Sequence, residues 1–116
     1  MSQRTFLEGR APVPPEEVRI EGIGLNPLDR RRVDVAVDLT PFRGAVRVEM
    51  AIVGPDEQEW CSTTLLQNRD AMLDKILHLR QDAVAGAYVI HVGIFVEEEL
   101  VAHEARRFAF SPVEAG

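Results

Sequence analysis

The chain has a single cysteine, Cys61, which excludes an intrachain disulfide, and a small extracellular domain would usually carry at least one. That scarcity points to a reducing compartment, so a cytoplasmic location is expected. No stretch reaches the roughly 20 apolar residues of a membrane span, and Met1 to Arg10 lack the apolar core of a signal peptide. A soluble protein that is not exported is therefore expected. Positive charge is short in the body of the chain: residues 33–116 hold seven Lys or Arg against fourteen acids, whereas residues 1–32 hold six Arg against five. Phosphate-backbone affinity rests on Lys and Arg. An acidic chain of net charge −6 with one Trp, one Tyr and five Phe thus disfavours nucleic acid and anionic membranes as partners.

Signatures of catalysis are missing as well. There is no Gly-rich phosphate loop, no pair of cysteines at zinc spacing and no metalloprotease helix. Cys61 has no histidine near it in sequence, and a nucleophile needs a base and an orienting group. No catalytic residue, no cofactor and no enzymatic activity are expected. Aromatic platforms for sugars are equally thin, since only Trp60 and Tyr88 offer rings suited to stacking on polar ligands.

What the chain does have is two-residue alternation. Val33, Val35, Val37 and Leu39 alternate with Asp34, Ala36 and Asp38, the pattern of a strand with one buried face. Val46, Val48, Met50 and Ile52 repeat it after the turn Thr40 to Gly44, and Tyr88, Ile90, Val92, Ile94 and Val96 repeat it again. A first strand is read from Val18, a fourth over Trp60 to Leu66, and a last over Leu100 to Phe110 before Pro112. Met72 to Leu79 also satisfies a short helical period, but it lacks a capping box and has strands on both sides, which favours a strand. Pro12, Pro14 and Pro15 remove ladder donors, so residues 1–16 are read as a tail or kinked edge strand and residues 17–116 as one domain. Seven short strands separated by turn signals predict an all-β, antiparallel sandwich.

Leu77-x-Leu79, an acidic turn, and then Gly86-x-Tyr88-x-Ile90-x-Val92 resemble one corner of the immunoglobulin-like or fibronectin type III-like β-sandwich. The resemblance implies that Tyr88 bends its hydroxyl back onto the preceding turn, as a tyrosine corner. It is a likeness of fold over about residues 17–111. Ile90 stands where antibody domains carry their second core cysteine, so antibody-type membership is not implied.

With that topology, candidate sites follow from strand parity and from which loops share an end. Trp60, Val89, His91, Phe95, Val101 and His103 are read as outward, forming an interaction surface for a protein partner or a second copy in a homodimer. A three-residue hairpin loop at Glu97-Glu98-Glu99 makes His91 and His103 diagonal neighbours, which opens the alternative of a small-ligand or metal-binding sensor. Phe42 and Arg43 are expected beside Glu97, Glu98 and Glu99 at one loop end, as a second recognition surface or ligand loop. At the other end Arg30, Arg31 and Arg32 are expected near Asp56, Glu57, Glu59 and Asp82, as a self-neutralising rim.

Overall fold

The computed structural model describes residues 10–110. Its strands are β1 (Ile20–Pro27), β2 (Arg32–Leu39), β3 (Val46–Val53), β4 (Glu59–Asn68), β5 (Met72–His78), β6 (Ala87–Val96) and β7 (Glu99–Ala109). They form two antiparallel sheets, β1-β2-β5 and β4-β3-β6-β7, stacked as the expected all-β sandwich. The helical alternative for Met72 to Leu79 is resolved as strand β5. Its residues Leu73 and Leu77 pair with Val37 and Val33 and are buried with them. No helix among the described residues is long and apolar enough to cross a membrane. Pro112 and residues 1–9 lie outside the described residues.

The core follows from alternation in the three central strands. Every second residue of β2, β3 and β6 is buried: Val33, Val35, Val37 and Leu39; Val46, Val48, Met50 and Ile52; Tyr88, Ile90, Val92 and Ile94. Each such side chain contributes about 1.5–3 kcal/mol by leaving water. Residues 12–18 are not a free tail. Val13 bridges Phe42 in parallel, a single 3-10 turn spans Pro15–Glu17, and Val18 is fully buried.

Of four register shifts among the described strands, three decide which large side chains face inward, because an extra residue on one strand turns everything after it over. In β1 the register shifts between Ile20 and Gly22, so Ile23 and Leu25 follow Ile20 onto the core side. In β4 the shift between the Ile52–Cys61 and Val53–Glu59 pairs makes Trp60 the extra residue. Trp60 is therefore a correction: it faces inward and is only 3% exposed, not part of an outer patch. In β7 the shift falls between the Ile94–Ala102 and Phe95–Leu100 pairs, and Val101 turns against the core. Val101 is thus a second correction, and Leu100, 51% exposed, takes the place beside Phe95.

Candidate functional site

Tyr88 anchors the corner that its sequence context implied. The Val84 N–H donates to Tyr88 Oη at 2.8 Å, and the hydroxyl donates back to the Val84 carbonyl at 2.9 Å. Both capacities of the phenol are used within the turn, which leaves no hydroxyl free for chemistry. Around its ring, Trp60 and Phe110 pack edge-on with centroids at 5.5 and 5.1 Å, and Phe108 lies tilted at 5.6 Å. Trp60 is boxed in turn: its Nε1–H donates to Asp56 Oδ1 at 2.9 Å, and the Arg80 guanidinium lies 5.5 Å from its ring. Accepting that indole hydrogen bond is the main reason the Asp56 carboxyl sits below the usual carboxylate range.

Cys61 follows Trp60 and faces the sandwich interior, half-buried. Burial disfavours its thiolate and pushes the thiol from 9.0 up to about 11. It packs against the core with its thiolate form disfavoured.

The two loop ends differ from one another. At the first, Phe42 and Arg43 are engaged by the N-terminal segment. Val13 N–H donates to Pro41 O, Arg43 N–H to Val13 O, and Arg43 Nη1 to Pro12 O at 2.7 Å. Phe42 is half-buried against the core. The expected recognition loop around Phe42 is therefore corrected: its aromatic ring serves packing. Glu97, Glu98 and Glu99 are exposed, and the Glu97 carbonyl accepts from Arg47 Nη1 at 3.0 Å. At the second end Arg31 pairs with Asp82 at 3.6 Å as expected, whereas Arg32 pairs with Asp29 at 2.9 Å and Asp56 takes Arg80 at 3.6 Å in place of the arginine triplet.

The remaining candidates meet on the outer face of the four-stranded sheet. Cross-strand register lays this face out in rows: Arg47, Phe95 and Leu100; Thr64, Glu49, Gly93 and His103; Ser62, Ala51, His91 and Ala105; Glu59, Val53, Val89 and Arg107. Gly93 has no side chain, and the Phe95 ring and Leu100 close over it. A Cβ there would come within 3.2 Å of Phe95 and 3.3 Å of Leu100. The Arg47 guanidinium lies 4.4 Å from the Phe95 ring and is held there by Glu49 at 2.9 Å. In the next two rows, His103 Nε2 and His91 Nδ1 are 3.2 Å apart, one ring donating and the other accepting. The hairpin between them has a two-residue loop, since Val96 pairs with Glu99, and the bulge at Val101 restores the register that a three-residue loop would give. The diagonal placement expected of the two histidines therefore holds.

His78 is on β5, in the other sheet, and so joins neither of them. Among the described residues, no group of three or more His, Cys, Asp or Glu is gathered so as to hold a metal ion. The residues that sequence reading missed on this face are Arg47, Glu49 and Leu100. Outward parity marks the first two, but their place beside Phe95 depends on β3 pairing with β6. A further feature lies on the opposite face, where Asp34 and Asp74 stand on adjacent strands. Asp34 Oδ1 is enclosed there without a hydrogen-bond partner.

No protein-family model matches this chain, and no curated protein is similar to it in sequence. Solved structures share its fold. The Bifidobacterium dentium β-glucuronidase complexed with coumarin-3-O-glucuronide superposes at a TM-score of 0.68 with 11% identity, over 81% of this chain and 18% of that one. A Parabacteroides merdae β-glucuronidase gives 0.60 at 19% identity, over 81% of this chain and 14% of that one. A glycosyl hydrolase family 2 member from Bacteroides cellulosilyticus gives 0.58 at 11%, over 84% of this chain and 16% of that one. The chain thus spans less than a fifth of the length of these enzymes, and at such identities the likeness is one of fold.

Proposed function

We propose that this chain is a non-catalytic, immunoglobulin-like interaction domain whose contact surface is the outer face of β4-β3-β6-β7. The observation that carries this reading is the Gly93 dish, where Phe95 and Leu100 lie together on a sheet face beneath the Arg47 guanidinium. Aromatic and Arg side chains grouped around small residues are what protein contact surfaces favour. The face also carries both signs of charge, Arg47 and Arg107 with Glu49 and Glu59, in a chain of net charge −6. A face of mixed sign suits a second copy of the chain better than the strongly acidic remainder does. The fold relatives support an accessory role, because those β-glucuronidases carry the same sandwich as a small share of a longer chain. The half-buried, protonated Cys61 and the fully bonded Tyr88 hydroxyl fit that role, in a reducing, cytoplasmic setting.

Light scattering combined with amide NMR over a concentration series tests the self-associating form. Concentration-dependent shifts confined to the outer residues of β3, β6 and β7, abolished by Leu100→Asp, are the expected result. A constant monomer mass with unchanged shifts at millimolar concentration overturns it.

A further inference from the structure

We infer that His91 and His103 form a two-imidazole chelate for one divalent transition-metal ion of the zinc, nickel and copper class. Imidazole suits these ions, and antiparallel pairing of β6 and β7 sets both rings on the same face one row apart, since His103 pairs with Gly93 and His91 with Ala105. The decisive geometry is the 3.2 Å between His91 Nδ1 and His103 Nε2. An ion bound to each nitrogen at about 2.0–2.1 Å, with an angle between square and tetrahedral, needs them about 2.9–3.4 Å apart.

The rings are nearly parallel, with 19° between their planes and centroids 5.4 Å apart, and chelation requires each to turn about χ2 until its lone pair meets the ion. The cross-strand neighbours on that face are Ala51 and Ala105 beside His91 and Gly93 beside His103, none with a side chain beyond Cβ. Of the cations in the two adjoining rows, Arg47 is tied to Glu49 and to the Glu97 carbonyl, and Arg107 stands opposite Val89 in the row beyond His91. In the free pair one ring donates its N–H to the other. On binding, that ring takes its other tautomer, with the proton on its outer nitrogen, and two nitrogen–metal bonds replace two waters of the hydrated ion. Two neutral rings release no proton in this exchange, and the remaining coordination positions stay with water. The chelate is complete in one chain and does not depend on the outer face being a protein contact.

Isothermal titration of the full chain with Zn2+ and with Ni2+, read alongside light scattering, tests this inference. One ion per monomer is expected. His91→Gln or His103→Gln alone should weaken binding about tenfold or more, because losing one donor removes the intramolecular advantage of the second. His78→Gln and Cys61→Ser should leave binding unchanged. Both histidines stand on the outer face, so unfolding curves of the variants should overlay that of the parent chain. Binding that survives His91→Gln and His103→Gln undiminished, depends on His78 or Cys61, or needs two chains per ion overturns the chelate, as does the absence of binding at micromolar ion. A monomer that binds one ion supports the chelate even when the self-association reading has failed.

Discussion

Tyr88 closes its hydroxyl onto both backbone polar groups of Val84, four residues earlier, and so ties the β5–β6 turn to the aromatic cluster of Trp60, Phe108 and Phe110. Tyr88→Phe keeps the ring and removes both hydrogen bonds. Leaving the Val84 groups without partners costs about 1–3 kcal/mol, so chemical denaturation should show a lowered midpoint with an unchanged slope. A midpoint equal to that of the parent chain would show that water replaces the hydroxyl without loss.

Gly54 and Trp60 form a second interlocked pair. A Cβ on Gly54 would fall 2.3 Å from Trp60 Nε1, so Gly54→Ala must push the indole aside, and overpacking of this kind costs about 1–3 kcal/mol. Trp60→Ala should cost about 3–5 kcal/mol. In the double variant the alanine methyl enters space that the indole has left, so its destabilisation should fall below the sum of the two single effects. Simple additivity in a double-mutant cycle would refute the contact.

Asp34 provides a pH signature. Its carboxyl is held above the ordinary range, first because its protonated form hydrogen-bonds with Asp74, then by burial, then by the Asp74 charge. A folded-state pKa raised above the unfolded value stabilises the fold fully below the unfolded value, and that contribution is lost as pH rises through the raised value. Asp34→Asn should therefore raise the melting temperature at pH 7, and the gain should shrink as pH falls toward the carboxylate range. Asp56 has the opposite sign. Its lowered pKa, caused first by the Trp60 hydrogen bond, stabilises at neutral pH and is lost on acidification. Melting curves of Asp34→Asn and Asp56→Asn from pH 3 to 7 separate the two, and an Asp34→Asn gain that grows on acidification would contradict the assigned sign.

Cys61 should resist alkylation. A thiol shifted from 9.0 to about 11 holds about a hundredfold less thiolate at pH 8, at tenfold per pH unit, and half-burial slows access further. Maleimide labelling of the native protein should lag a denatured control by at least that ratio, and equal rates would place the thiol in solvent.

The central strands were readable in the sequence because a strand facing a core on one side announces itself through a local period of two. Val33 to Leu39, Val46 to Ile52 and Tyr88 to Ile94 needed nothing from outside their own segments. Tyr88 was readable for the same reason, since its partner Val84 lies within the adjacent turn. The opposed charges of Arg31 and Asp82 followed once loops were sorted to the two ends, whereas the partner of Asp56 is Arg80 and not the arginine triplet.

Trp60, Val101 and Phe42 were another matter. A bulge depends on how many residues the neighbouring strand offers at that point, so the inward turn of Trp60 is set by β3, and that of Val101 by β6 together with the length of the hairpin loop. Phe42 is drawn inward by Val13, nearly thirty residues earlier. His91 and His103 combine both kinds of information. Their outward parity was local, whereas the 3.2 Å between their nitrogens is the net result of a shortened loop and a compensating bulge. Period and turn chemistry, which are local, thus specified the sandwich and its corner. Register between strands far apart in sequence, which requires the assembled sheet, settled which side chains share its outer face.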